Sequence, residues 1–187
     1  HIRTAQKLQD KLPEQDNSAR TDILTSLAYV HFKLGEYREA ADVLRQLLAL
    51  QERVFGRDSM QAAATKNNLA VVLREVGELD EALKLYLEAL AVQERALGPQ
   101  HADLGSFLNN IAHIYQDRGD FEKALEYFRR ALEVRRAALG EENPDTALSI
   151  NNLAYCLWLA GKSDAAAALF DRALTLREQL LGSDHPD

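Results

Sequence analysis

The sequence predicts an all-α solenoid, in which one pair of helices is repeated and stacked. Columns of identical or similar residues recur at a fixed interval of 42 residues. Each interval carries two helical stripes of apolar residues separated by a glycine, and sustained alternation of period two, which would indicate strands, is absent. One helix pair cannot bury its own apolar face but stacked neighbours can, so we expect a solenoid instead of a globule.

Five columns keep the 42-residue interval. Asparagine pairs begin at Asn67, Asn109 and Asn151. The alanine column would let the two helices of a pair approach closely, and the large apolar column would fill the gap to the next repeat. The other four columns are Gly35, Gly77, Gly119 and Gly161; Gly56, Gly98, Gly140 and Gly182; Ala40, Ala82, Ala124 and Ala166; and Leu44, Tyr86, Phe128 and Phe170.

The columns define a tail and four repeats in one domain, since no linker interrupts them. Residues 1–18 are expected to be the tail of a preceding helix and its loop, because residues 7–12 align with residues 49–54. Residues 184–187 stand where a fifth repeat would start, so we expect the native protein to continue at both ends. The repeats are predicted at about 19–60, 61–102, 103–144 and 145–186.

The second repeat shows the elements most clearly. Asp58 and Ser59 offer an N-cap for a helix that runs to about Glu75. Gly77 is predicted to end that helix in the left-handed conformation, which glycine adopts at little steric cost. The next helix should start near Leu79 or Asp80. Links of two to five residues make the paired helices antiparallel.

The later repeats follow the same pattern. Asn143 and Pro144 supply a cap and a first-turn proline for the first helix of the fourth repeat. Within the third repeat, Glu126 precedes Arg130 by four residues, so the sequence predicts an ion pair on the helix surface.

Composition excludes several classes of function. The net charge of −7 argues against a nucleic-acid-binding surface, which needs a basic stripe. The single cysteine, Cys156, rules out an internal disulfide, and its apolar neighbours predict a packed thiol. No apolar run approaches the length of about 20 residues that spans a bilayer. We expect a cytoplasmic protein without a cofactor.

The pattern resembles the tetratricopeptide repeat. In the third repeat the residues that carry the resemblance are Ile111, Ala112, Tyr115, Gly119, Phe121, Ala124, Phe128, Ala131 and Leu132. The usual period of that repeat is 34, whereas here it is 42. The longer form, with N-N-L-A in the first helix and L-G-x-x-x-P after the second, is similar to kinesin light chain and to its nephrocystin-like and bacterial relatives. The resemblance covers about residues 19–187 and implies a right-handed superhelix.

Two repeats depart from the pattern. The first has Thr25 and Ser26 in place of the asparagine pair, and Leu47 where the others have alanine. The fourth has Ser163 in place of an aromatic residue or leucine. We expect these two repeats to present different surfaces.

The resemblance implies that the first helices line a concave wall where an extended peptide lies. By resemblance, Asn68, Asn110 and Asn152 would hold the backbone of that peptide. An amide side chain has two donor hydrogens and two acceptor lone pairs, so it can pair with both polar groups of an extended chain. The alternative is structural, with the amides tying neighbouring repeats together. We favour the structural role for the first asparagine of each pair and peptide contact for the second.

Other candidate contact residues lie along the same helices. Tyr155 and Trp158 would form an aromatic pocket, or Trp158 would instead plug against a following repeat. His113 is either a hydrogen-bond donor or merely polar. Arg74, with Lys66 nearby, would suit an acidic peptide, but neighbouring carboxylates dilute the positive charge. The remaining candidates are Tyr29 and Gln116.

The sequence contains no recognisable catalytic or metal-binding motif, so we predict a binding protein and no enzyme. The first-helix positions at which some tetratricopeptide domains clamp a carboxylate hold no lysine or arginine, which argues against that subclass. We expect an adaptor or scaffold that binds an extended, cargo-like segment of a partner in its concave groove. The alternative is a sensor, regulatory or self-association arm of a larger signalling protein, whose partners include domains of its own chain.

Overall fold

The computed structural model describes residues 17–181, and this stretch contains eight helices and no strand. The first helix of each repeat is odd-numbered and the second is even-numbered. Their bounds are α1 Asn17–Lys33, α2 Tyr37–Phe55, α3 Met60–Glu75, α4 Leu79–Leu97, α5 Leu104–Asp117, α6 Phe121–Leu139, α7 Pro144–Leu159 and α8 Ser163–Leu181.

The chain divides into two compact units, with unit 1 ending at Gln93 and unit 2 beginning at Glu94. In unit 1, α1 packs against α2, and α2 packs against α3. In unit 2, consecutive helices pack from α5 to α8, and α5 also touches α7. The first helices of adjacent repeats therefore lie side by side within unit 2, as stacking requires. The four-repeat, single-domain organisation stays a prediction.

The turn inside each helix pair is the same in all four repeats. Three residues link the two helices, and the glycine column supplies a positive φ, as at Gly77 with φ +83°. The amide of Glu78 then donates to the carbonyl of Leu73 at 2.9 Å, which closes the α3 terminus. Equivalent bonds of 2.9 Å join Glu36 to His31, Asp120 to Tyr115 and Lys162 to Leu157. The predicted left-handed glycine terminus is confirmed.

The predicted N-caps of α3 and α7 are also confirmed. The Ser59 hydroxyl accepts a hydrogen bond from the amide of Ala62 at 3.2 Å. The Asn143 side chain accepts from the amide of Asp145 at 2.9 Å, and Pro144 is the first residue of α7. Each side chain satisfies a backbone donor that a helix terminus leaves unpaired.

The core of each unit is built from the predicted columns. Ala40, Ala82, Ala124 and Ala166 are completely or almost completely buried, which lets the paired helices approach closely. Leu44, Tyr86 and Phe128 are buried beside them, whereas Phe170 of the last helix is only half-buried. Cys156 lies in the core of unit 2, and burial raises the pKa of its thiol to about 11. The thiol therefore stays protonated near neutral pH, as a packed cysteine should.

One predicted surface ion pair is wrong. Arg130 does not pair with Glu126 one turn away in α6, but with Glu94 at the end of α4. The ion pair therefore links α6 to α4. The Arg130 guanidinium lies against the half-buried carboxylate of Glu94 instead of the exposed carboxylate of Glu126. The predicted tail over residues 1–18 falls almost entirely outside the described residues. The predicted start of a fifth repeat at residues 184–187 lies outside them too.

Candidate functional site

In the asparagine pairs on α3 and α5, the second asparagine is the more exposed of the two. Asn68 of α3 is exposed, and Asn110 of α5 and Asn152 of α7 are half-exposed. Asn67 is half-exposed and Asn109 is only 6% exposed, whereas Asn151 is half-exposed like Asn152. On α3 and α5, consecutive positions thus place one amide deeper in the packing and the next one closer to solvent.

The enclosed amide of Asn109 is incompletely paired. Its Oδ1 is buried and accepts no hydrogen bond from any residue that the structure describes. Gln116 Oε1, two turns further along α5, is in the same condition within the described part of the chain. Buried hydrogen-bond acceptors without partners are uncommon in folded proteins. These two amide oxygens are therefore unsatisfied polar atoms in the packing of α5.

A groove opens in unit 1 between the two first helices, α1 and α3. Its volume is about 540 Å³. The α2 residues Leu44 and Leu47 form its floor and are 5% and 3% exposed. Asn68 and Tyr29 are among the residues of its two walls. The full lining is Thr25, Ala28, Tyr29, Phe32, Lys33, Leu44, Leu47, Gln51, Gln61, Ala64, Thr65, Asn68, Val71 and Val72.

The electrostatic character of the groove is simple. Lys33 is the single ionisable cation among the lining residues, and no carboxylate lines the groove. Its Nζ lies 5.4 Å from the centroid of the Tyr29 ring, a cation–π contact. Tyr29 is 61% exposed although α3 follows it in unit 1, so the ring stands at the rim of an open space.

In unit 2, His113 and Gln116 lie on α5 in less open positions. Both are half-buried, and the His113 ring meets Phe128 edge-on with 5.0 Å between the ring centroids. His113 therefore packs against the core and is partly exposed at the surface. Arg74, the counterpart of Gln116 one repeat earlier on α3, is half-buried as well.

Tyr155 and Trp158 lie together on α7, with 5.7 Å between their ring centroids. Trp158 is 54% exposed, whereas the residues at the same repeat position, Phe32 and Gln116, are half-buried. The earlier positions are followed by another first helix, and no first helix follows α8 within the described residues. The exposure of Trp158 thus fits both interpretations, a binding pocket and a contact with a further repeat.

Lys66 is not available to an acidic peptide. It is 3% exposed and occupies a position that is apolar in the other repeats, namely Leu24, Leu108 and Ile150. Its Nζ lies 2.9 Å from Glu88 Oε2 and 3.5 Å from Glu52 Oε1. A buried lysine needs such partners, so Lys66 links α3 to α2 and α4. A lysine at a repeat position that is otherwise apolar was the sequence signal that could have predicted this buried ion pair.

Arg135 is a second residue whose role was not predicted. It is 5% exposed, and burial lowers the pKa of its guanidinium. Its Nη1 donates to Ser149 Oγ at 2.9 Å and to the carbonyl of Asp145 at 3.2 Å, and its Nη2 donates to Ser106 Oγ at 3.2 Å. Arg135 therefore joins the first helices α5 and α7. Glutamines occupy this column at Gln51 and Gln93, which was the available signal.

Comparison with known proteins agrees with this architecture. A sequence profile of the tetratricopeptide repeat matches residues 18–95, 61–106 and 103–179. No curated protein sequence matches the chain. The chain is 28% identical to BtubC (BKLC) from P. vanneervenii, with a TM-score of 0.84 over 100% of this chain and 76% of that one.

Two further solved structures share the fold at lower identity. A protein of kinesin light chain type from Podosopora anserina, with nearly identical tetratricopeptide-like repeats, is 21% identical. Its TM-score is 0.82 over 97% of this chain and 88% of that one. The apo form of RapI is 16% identical, with a TM-score of 0.81 over 98% of this chain and 49% of RapI.

In residues 17–181 no helix has both the length and the hydropathy that a membrane span requires. Nor do three or more histidine, cysteine, aspartate or glutamate side chains converge there in a metal-binding arrangement.

The family profile covers well over half of the chain, and the solved structures share its succession of helix pairs. The predicted fold class, an all-α helical-repeat solenoid, is confirmed. The chain belongs to the tetratricopeptide repeat family, with the 42-residue repeat of the kinesin-light-chain type, and is in general terms a protein-interaction scaffold.

Proposed function

We propose that this protein binds an extended, cargo-like peptide segment of a partner along its first helices, as an adaptor without a catalytic step of its own. The observation that carries the proposal is the recurrence, at one repeat position, of an amide that is exposed at Asn68 and half-exposed at Asn110 and Asn152. An amide in mid-helix costs roughly half a kcal/mol against alanine, so three accessible ones at a fixed interval call for a use outside the helix.

The hydrogen-bonding groups of an amide side chain suit the backbone of an extended peptide. Each amide can donate to a peptide carbonyl and accept from a peptide N–H, whatever the sequence of the peptide. A neutral amide also loses less hydration free energy than a charged side chain when the peptide covers it. Sequence preference then falls to the side chains around each amide, such as Tyr29 beside Asn68 and His113 beside Asn110.

The neighbouring candidates would add contact area. Tyr155 and Trp158 near Asn152 present an exposed aromatic pair, a kind of residue enriched at binding hot spots. Arg74 and Gln116 would be polar contacts at the far ends of α3 and α5. A cytoplasmic location and the absence of nucleic-acid partners stay predictions of the sequence.

The test is selection of peptides followed by removal of the amides. Dodecamer peptides displayed on phage are selected against the wild-type protein, and their affinities are measured by fluorescence anisotropy. Single Asn68→Ala, Asn110→Ala and Asn152→Ala variants should each weaken binding by about tenfold, which corresponds to the loss of one well-made hydrogen-bonded contact.

Asn67→Ala is the matched control, since it removes the same side chain one position earlier on α3. Its affinity for the selected peptides should stay within about twofold of the wild type. Circular dichroism at rising temperature shows whether each variant is folded. Unchanged affinity in all three accessible-amide variants, together with lowered melting temperatures, would mean that these asparagines have a structural role only.

A further inference from the structure

We propose that the groove between α1 and α3 is a side-chain pocket that selects one large, uncharged apolar residue of the bound segment. This inference rests on the proposed function and names the chemistry that unit 1 adds to it. The volume of about 540 Å³ falls within the range of about 300–1,000 Å³ that ligand sites occupy. It has room for a leucine, methionine, phenylalanine or tryptophan side chain together with the flanking main chain.

The repeat pattern explains why the groove is open here. Every lining residue has a counterpart two repeats later, between α5 and α7 of unit 2. Two small wall residues, Ala64 and Val71, correspond to the large residues Leu148 and Tyr155. The wall of unit 1 therefore lacks side-chain volume that the equivalent wall of unit 2 contains.

The glutamine column adds to this difference. Gln51 lines the groove, and its Oε1 accepts a hydrogen bond from Thr65 Oγ1 at 2.6 Å, which holds the amide against α3. Its counterpart Arg135 instead reaches from Ser149 to Ser106, across the space between α7 and α5. The same position thus leaves space in unit 1 and fills it in unit 2.

The floor of the groove favours an apolar guest. Leu47 replaces the alanine that the other repeats carry at this position, and it lies beside Leu44 on α2. A guest side chain in the groove contacts these leucines and removes its own apolar surface and that of the exposed Tyr29 ring from water, which is the main favourable contribution to such binding. A lysine or arginine guest would lose its hydration there without meeting an opposite charge, because no carboxylate lines the groove.

The positive charge at the rim of the groove disfavours cationic guest side chains. Lys33 is the one ionisable cation among the lining residues, and its ammonium group lies over the Tyr29 ring. A lysine or arginine in the guest would therefore meet a like charge. The first repeat also has Thr25 where the other repeats have an enclosed asparagine. Asn68 is then the one asparagine among the lining residues that can hold the main chain, and the apolar pocket supplies the selectivity.

The experiment fills the pocket with residues that the chain already uses at the same repeat positions. The double variant Ala64→Leu/Val71→Tyr copies the wall of α7 onto α3. The ligands are the peptides selected by phage display on the wild type, each synthesised with its apolar anchor residue and with that residue changed to alanine or lysine. The matched control is Ala91→Leu, the same enlargement at an exposed alanine of α4 outside the groove.

We expect the double variant to lose at least about tenfold in affinity for the selected peptides, and Ala91→Leu to keep the wild-type affinity. The alanine and lysine peptides should lose at least as much on the wild type, with lysine the worse of the two. Methyl NMR of the wild type, with signals of Val71 and Val72 that shift saturably on peptide addition, gives a measurement that does not depend on the folding of a variant.

The outcomes separate the two proposals. Selected peptides that bind the double variant as tightly as the wild type, and that leave both valine signals unshifted, overturn the pocket while the peptide-binding function stands. Failure to select any binding peptide overturns the function and the pocket together.

Discussion

At the scale of single residues, Arg135 shows how a buried charge is accommodated between repeats. No carboxylate of the described residues lies within ion-pair distance of it, and its hydrogen bonds go to two hydroxyls and a carbonyl. Gly105 makes the space, since a Cβ there would lie 2.4 Å from Arg135 Nε and 2.8 Å from its Cγ. The glycine is therefore required by a neighbour's side chain, because its own backbone does not have the positive φ of the turn glycines.

A substitution at this glycine should be costly and rescuable. Gly105→Ala forces the stem of Arg135 to move and should lower the free energy of unfolding by about 1–3 kcal/mol, as overpacking does. Urea denaturation followed by circular dichroism measures this. Adding Arg135→Gln should restore most of the loss, since Ala63 and Gln93 hold the same two positions in the second repeat. Equal stabilities of the single and the double variant would show that Arg135 is not the cause.

At the scale of elements, the helix pair depends on its three-residue turn. Four turns share a glycine at positive φ and one backbone hydrogen bond of 2.9 Å across it. The glycine sends the chain back antiparallel while the carbonyls of the helix terminus stay paired. Because each turn is local, its geometry is independent of which side chains the repeats present elsewhere.

Gly119→Ala tests that dependence in the turn between α5 and α6. Its φ is +75°, and a Cβ there would meet nothing within 4 Å, so the penalty comes from the backbone conformation alone. We expect a loss of about 1–2 kcal/mol in the free energy of unfolding. Gly119→Asn should lose less, because asparagine adopts the left-handed region more readily. The reverse order, measured by thermal denaturation, would rule out this explanation.

At the scale of the whole molecule, stability is distributed among neighbouring repeats. Each repeat draws its core from the helices next to it, as in the cluster that Phe128 forms with residues of α5, α7 and α8. In such arrays the stability is approximately a sum of repeat terms and nearest-neighbour interface terms. A destabilising substitution in one core should therefore lower the local stability of adjacent helices most, and that of more distant repeats less.

Phe128→Ala is expected to cost about 3–5 kcal/mol, since the ring is completely buried. Hydrogen exchange followed by mass spectrometry should show the largest increase in α5 to α8, and a smaller one in α1 and α2. An equal increase in all helices would indicate that the chain unfolds as one cooperative body and would contradict the nearest-neighbour description.

The candidate site shows the limit of local reasoning. The asparagine columns identified which helix positions are special, but their exposure was not readable from the sequence, because the second helices and the adjacent repeat determine it. The ion pair predicted between Arg130 and Glu126 failed for the same reason, since Glu94 on another helix reached the guanidinium. The peptide-contact roles of the predicted site residues stay proposals.

From the residue pattern alone we could predict the period, the helix pairs, their caps and glycine turns, and the buried alanine column. These features depend on residues within one turn or one repeat, and every repeat restates them. The packing of the helices was needed to show that a groove stays open between α1 and α3, that Lys66 is buried among carboxylates, and that Arg135 joins two first helices. Those outcomes depend on the combined volume and charge of side chains from three helices, which meet only when the repeats pack.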